Sequence, residues 1–375
     1  MAYGTVNADV IQTSTSGGIL GAGDASAMKN RIINGNFVIS QYNGSSSVNP
    51  TDNTCFIDRW KATIYPTASK FTVQQNAGSV TPPVGFTNYL GITSSSAYTS
   101  GSTDQYFLNQ RIEGFNFADL GWGTANAKTV TLSFWVYSSL ATTFGGSIIN
   151  SAGNRAYPFS YTTTATNTWQ QVSITIAGET TGTWGTTNNI GALVVFNLGS
   201  GSATAGTAGA WVSAERYTAT GSTNLIATNG ATLYLTGVQL EVGSSATGFE
   251  YRQYTTELCL CQRYFEQSYT YGKTAGSSTD TEAVVGNAAY ATSTTVLDYG
   301  TTTFFKVQKR ATPSIAFYQS NGTANIWGYS PLGNYTTVGQ WINTNGFGFY
   351  TTVASGATTN RTYMVYGHFT ASAEL

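Results

Sequence analysis

Over most of the chain, hydrophobic residues alternate with small polar ones, the period of half-buried strands. Val130 to Tyr137 (VTLSFWVY) places Val130, Leu132, Phe134 and Val136 on one face and Trp135 and Tyr137 on the other. Directly after Trp169, Gln170 to Ile176 repeats the alternation through Val172, Ile174 and Ile176. Gly191 to Leu198 (GALVVFNL) is apolar almost throughout and reads as a central strand. Ala231 to Val242 carries Leu233, Leu235, Val238, Leu240 and Val242 between small or polar residues. Gly, Asn, Ser and Thr turns separate these runs, among them the loop Gly199 to Gly209. Eight or more strands with no credible helix before residue 255 predict a two-sheet sandwich of the jelly-roll kind.

The period changes after Gly248. Thr255 reads as a helix cap, Glu257 sits in the first turn near the positive end of the dipole, and Leu258, Cys261 and Phe265 fall on one face. Leu260 and Tyr264 cover an adjacent face, so the helix is expected to be buried on more than one side. It can pack on the sandwich, on the C-terminal domain, or on copies of itself, which makes Leu258, Cys261 and Phe265 candidates for an assembly helix. Further on, Thr301 to Val307, Ser314 to Tyr318 and Thr362 to Thr370 read as strands, divided by Asn321-Gly322, Pro331 and Asn345-Gly346. The fold expected is therefore all-β: a low-complexity arm over residues 1–28, a jelly-roll β-sandwich over 29–250, a linker helix over 251–266, and a second, smaller antiparallel β domain over 267–375.

Charge narrows the function classes. Only 9% of residues are charged and the net charge is −1, which argues against a grip on nucleic acid or anionic membrane. No run of about 18 apolar residues is present, so no membrane insertion is expected. The first residues lack a basic region followed by an apolar one, so export by the usual signal is not expected and synthesis is placed in a cytoplasm. Aromatic residues at 14% supply enough burial to exclude disorder. So uncharged a surface fits a protein largely covered in an assembly. Cys55, Cys259 and Cys261 have no disulfide spacing and read as small buried thiols.

Several stretches resemble bacteriophage virion proteins of the tail-fibre or minor structural kind. They are YGTVNADVIQTSTSGG, KNRIINGNFVISQ, DRW, TLSFWVYSS, TWQQVSITIAGETTGTWGTTNNIG, FNLGSGS and GATLYLTGVQLEVGSSATGFEYRQYTTELCLCQRYF, with FTASAEL at the end. The middle part also resembles carbohydrate-binding jelly rolls, through an Asn-Gly start, a Ser-Phe-Trp-Val strand and a late strand ending in Gln-Leu-Glu. The first resemblance implies a tail fibre or receptor-binding protein on the phage particle, trimeric and engaging a host surface glycan. Residues 1–28 would then attach it to other virion proteins. The alternative is a head or tail decoration that contacts only other virion proteins, and a weaker one is a polysaccharide depolymerase.

Catalytic chemistry is sparse. His368 is the one histidine, on a strand face with Tyr366 and Met364, and reads as structural. Glycine-rich stretches lack the strand-before, helix-after setting of a phosphate loop. Asp52 with Asp58, or Glu113 with Asp119, could approach the roughly 5–9.5 Å of a glycosidase pair. Neither pair has aromatic subsites beside it, and pairing with Arg59 or Arg111 is the plainer expectation, so the protein is read as a non-enzyme. The same carboxylates could hold a structural calcium ion, but no spacing selects its ligands, and no cofactor is assigned.

Sugar recognition asks for exposed rings flanked by planar polar groups. Trp122 in Gly-Trp-Gly and the group Trp327, Tyr329, Tyr335 and Trp341 lie beside turn residues and are the glycan candidates. The competing reading of these rings is core or subunit contact. Trp60, Trp135, Trp169 and Trp184 sit inside the virion-like motifs and read as packing residues.

Overall fold

The alternation of the first 250 residues is realised as two antiparallel sheets packed face to face. The computed structural model describes residues 10–12, 19–21, 28–277, 284–298, 302–353 and 356–375. The expected arm lies outside the described residues except for 10–12, 19–21 and 28, of which the first two pair antiparallel. One sheet has five strands, in the order Phe71–Gln75, Leu90–Ser94, Thr232–Val242, Val130–Ser138, Gln170–Ile176. The other has six, in the order Thr54–Ile57, Trp60–Tyr65, Gln105–Glu113, Ile190–Asn197, Thr143–Asn150, Ala156–Thr162. The strand expected to be central, Gly191 to Leu198, is realised as Ile190–Asn197 in the interior of its sheet. Inward-facing Leu132, Phe134, Val136, Leu233 and Leu235 meet Trp60, Leu108, Val194 and Phe196 in one continuous core. Each such side chain contributes about 1.5–3 kcal/mol by leaving water.

The helix spans Tyr254–Gln262 and departs from expectation at both ends. Its first residue follows Gln253, which is extended, and no side chain caps it, so Thr255 lies inside the first turn. Phe265 is not on the helix: it opens the strand Phe265–Gln267, and its ring stacks on Tyr42 at 3.8 Å. The chain leaves the helix there because Phe265–Gln267 pairs with Thr370–Ser372. Cys261 is buried, Leu258 and Leu260 are half-buried against Ile33, Ile39, Tyr264 and Leu375, and the remaining face is wet. The side chains put forward for assembly, Leu258, Cys261 and Phe265, are thus covered by their own chain. Cys259 is exposed and Cys55 half-buried, so only Cys261 is the buried thiol expected of all three.

After the helix the sheet closes on itself. Val285–Ala291, Val296–Asp298, Gly346–Thr352, Gly333–Gln340 and Ile326–Ser330 pair in succession. The long last strand Thr362–Ser372 then pairs with both Val285–Ala291 and Ile326–Ser330, completing a small barrel. Its second half continues beyond the ring, between Phe265–Gln267 and Ser314–Tyr318. Closure leaves no free edge within the ring and fills its inside with Trp327, Tyr329, Phe347, Phe349, Tyr363 and Val365. His368 is fully buried and stacks on Tyr269 at 3.9 Å.

Charged side chains sew barrel to sandwich. Arg59 pairs with Glu374, with side-chain exposures of 2% and 7%, and its guanidinium lies 3.5 Å over the Tyr264 ring. Lys61 Nζ and Arg111 Nη1 donate to the Leu375 carbonyl at 2.6 and 2.7 Å. Glu113 accepts from Arg263 Nε and Nη2 at 2.9 and 2.6 Å and from the Tyr264 hydroxyl at 2.5 Å. Asp58 accepts from the backbone N–H and side-chain amide of Gln41, whose amide also donates to Phe265 O at 3.1 Å.

Candidate functional site

Three of the five glycan candidates are core residues. Trp122 is 6% exposed and packs edge-on against Phe117, Trp184 and Trp211, with Nε1 donating to Lys128 O at 2.8 Å. Trp327 is fully buried in the barrel between Phe317 and Phe349, and its Nε1 donates to His368 O at 2.8 Å. Tyr329 is also fully buried and shares a 2.8 Å hydrogen bond with Thr337. Burial raises its hydroxyl to about 12. Barrel closure turns Trp327 and Tyr329 inward, whereas Trp122 is buried by the sandwich core. Tyr335 is half-buried and donates to Leu332 O at 3.0 Å. Trp341 alone among the five is open, at 58% exposure, and it lies against Gly348, where a Cβ would sit 3.0 Å from the ring.

The structure instead assembles rings on the outward face of the five-stranded sheet. Tyr137 and Tyr234 are cross-strand partners, their rings 5.3 Å apart and within 4° of parallel. Tyr89 stacks on Tyr234 at 5.2 Å, both of them buried, and half-buried Trp169 closes the group at 5.4 Å from Tyr137 and 5.6 Å from Tyr89. The next strand position opposite Tyr234 is Gly91, where a Cβ would come within 3.2 Å of the tyrosine ring. A Cβ there would also come within 2.4 Å of the Ala77 Cβ, so glycine is needed for Ala77 and the ring to close over the strand together. Trp169 is fixed by Nε1 donating to Thr81 O at 2.9 Å.

Further along the same face stands Trp135, half-buried, opposite Gln171 on the edge strand. Gln171, Ser173 and Thr175 are exposed beside it, the Thr175 hydroxyl donating to Ser244 O at 2.9 Å, so half-open rings and exposed polar side chains lie in one row. A second trio, Phe86, Phe249 and Tyr251, packs with centroids 5.0–5.5 Å apart, and Tyr251 is 56% exposed. The signal for this face was present in VTLSFWVY, whose alternation sets Trp135 and Tyr137 opposite the core. Trp135 and Trp169, read from the sequence as packing residues, are half-buried, and Trp169 packs on Tyr89 and Tyr137.

The carboxylates considered for hydrolysis are engaged elsewhere. Asp52 Oδ1 accepts from Ile64 N at 2.8 Å, and Asp119 pairs with Arg31 at 2.7 Å. Asp58 and Glu113 belong to the seam, with Arg263 rather than Arg59 or Arg111 as the partner of Glu113. Burial raises the Asp58 carboxyl to about 7 against the pull of Gln41. Burial would raise Glu113 as well, but the bonds from Arg263 and Tyr264 outweigh it and hold the group below the ordinary range. Among the described residues no three His, Cys, Asp or Glu side chains gather as a metal site. No helix among the described residues is long and apolar enough to cross a membrane. An open groove of about 510 Å³ beside Asn49, Asp52, Ile64 and Ser69 contains no aromatic ring.

No protein-family model matches the sequence, and no curated protein matches it significantly. Among solved structures the chain is similar to a provisionally assigned sugar-binding protein of Bacteroides thetaiotaomicron, at 15% identity over 57% of this chain and 100% of that one, TM-score 0.33. It is similar also to the enzymatically active domain of tailspike protein 4 of bacteriophage CBA120, at 15% identity over 57% of this chain and 22% of that one, TM-score 0.32. A third is a carbohydrate-binding module of family 4, at 16% identity over 56% of this chain and 98% of that one, TM-score 0.29.

Proposed function

We propose that this is a non-catalytic glycan-binding protein and that the outward face of the five-stranded sheet is its binding surface. The observation that carries the reading is the row of Trp135, Tyr137 and Trp169 beside Gln171 and Ser173. Pyranose rings present apolar C–H faces that lie on such aromatic rings, while amide and hydroxyl groups bond the sugar hydroxyls. A charge-poor face suits a neutral sugar, since no strongly hydrated ions must be stripped of water. The virion-like motifs add a setting, a phage tail fibre or receptor-binding protein that reads a host surface polysaccharide. Depolymerisation is disfavoured because Asp52, Asp58, Glu113 and Asp119 each already hold a structural partner.

The test is calorimetric titration of the full chain against a panel of neutral and acidic bacterial polysaccharides, with Trp135→Ala and Trp169→Ala alongside. Each substitution is expected to weaken binding about tenfold, the scale of one aromatic contact, with unchanged circular dichroism. Absence of binding across the panel would remove the reading. Binding that survives both substitutions but fails in Trp341→Ala would move the site to the barrel.

A further inference from the structure

The four outer edges of the sandwich are finished differently. Phe71–Gln75 is bridged by Val48, which exchanges backbone bonds of 3.0 and 2.9 Å with Val73. Ala156–Thr162 is bridged by Val212, carries Pro158, and has Pro158 O taken by Gly209 N at 2.9 Å. Thr54–Ile57 has only four residues, and the Asn43 amide donates to Phe56 O at 2.8 Å. Gln170–Ile176 has none of these covers. Among the described residues, no backbone group of this strand is bonded outside its pairing with Val130–Val136.

Its sequence, QQVSITI, is also undefended: seven residues without charge or proline, paired to its neighbour without a register shift. Exposed edges are normally blunted by such devices, because a row of free N–H and C=O groups templates another strand. The core is unfinished at the same place. Val172 and Ile174 pack against the sandwich core yet remain half-exposed.

We infer that this edge is completed by the same edge of a second copy, antiparallel about a two-fold axis at Ser173. A two-fold normal to the sheet keeps both core faces on one side, so opposed residues must point the same way. The register that pairs all seven residues sets Ser173 against itself, Val172 against Ile174, and Gln171 against Thr175. Apolar Val172 then meets apolar Ile174 on the core side and polar meets polar outside, with no like charges opposed, while the end pairs set Gln170 against Ile176. The match is self-complementary over residues 171–175, and it makes one ten-stranded sheet from two of five. Val172 and Ile174 of each copy are sealed by the other. The inference is independent of glycan binding.

Sedimentation equilibrium of the full chain across a concentration series tests it, together with amide hydrogen exchange. The wild type is expected at twice the monomer mass with slow exchange over residues 170–176. Ser173 is exposed, so Ser173→Lys should fold normally by circular dichroism while setting two ammonium groups face to face on the axis. It is expected at monomer mass with fast exchange along the edge. Ser173→Glu should behave alike, and an equimolar mixture of the two variants should recover the dimer mass, which simple misfolding would not produce. A monomeric or trimeric wild type, a dimer that persists in Ser173→Lys, or a mixture that stays monomeric would overturn the proposal.

Discussion

Sandwich and barrel draw on the same aromatic-rich, charge-poor composition and spend it in opposite directions. In the barrel Trp327, Tyr329, Phe347 and Phe349 point inward, because a narrow closed ring of strands needs bulky rings to fill it. In the sandwich, Leu, Val and Phe side chains from two facing sheets fill the core, and alternate positions of the same strands are released outward. Trp135 and Tyr137 occupy those positions and stay half-exposed, while Tyr234 beside them is buried by its neighbours. Whether a ring is available to a ligand is therefore decided by sheet closure, and nearness to a glycine or asparagine says little.

The contrast is broken most directly at the barrel core. Trp327→Ala should cost about 3–5 kcal/mol, as removal of a fully buried large aromatic does, read as a shift in denaturant midpoint. Trp341→Ala, on an exposed ring, should stay within about 0.5 kcal/mol. Equal costs for the two would contradict the inward–outward distinction. The seam is tested by Glu374→Gln, which leaves the buried Arg59 charge without its partner and should cost about 3–5 kcal/mol. The melting curve of this variant should split into sandwich and barrel transitions, whereas a single unshifted transition would show the seam to be idle.

Smaller effects come from pH, with opposite signs at two seam carboxylates. Asp58 titrates at about 7 in the folded chain, above its unfolded value near 3.8. Its contribution is complete below the unfolded value and is lost as pH rises through the folded one. Glu113 is held below its ordinary value, so its contribution is present above that value and is lost as pH falls through the folded one. Asp58→Asn should flatten the decline of the melting temperature between about pH 4 and 7, and Glu113→Gln should flatten the decline on the acid side. An Asp58→Asn profile parallel to wild type would refute the first assignment. Smallest of all, Cys259→Ser should leave stability within about 0.5 kcal/mol. In the native wild type a maleimide should modify Cys259 quickly and Cys261 only after unfolding, and equal rates would mean that the helix lies differently.

What the sequence made legible was local. The alternations at 130–137 and 170–176 locate strands closely, because period-two burial is written in consecutive residues. The change of period after Gly248 locates the helix but misplaces its ends. Nothing nearby reveals that Phe265 pairs with Ser372, or that Cys259 faces water. The exposure of Trp327 was misjudged for a similar reason: closure of the barrel depends on Thr362–Ser372 pairing with Ile326–Ser330, far along the chain. Seam pairs such as Arg59 with Glu374 were unreadable, since each partner looks like an ordinary surface charge until the fold buries both.

The Arg59–Glu374 pair joins residues 315 positions apart. On a ribosome adding roughly 5–20 residues per second, about 15–60 s separate the synthesis of the two. From residue 242 onward the sandwich has all its strands but lacks the partners of Arg59 and, until residue 263 emerges, of Glu113. The face that will meet the barrel is thus held hydrated by unpaired ions while it waits. A nascent sandwich kept wet on that side has a reason not to stick to its neighbours before its own second half arrives.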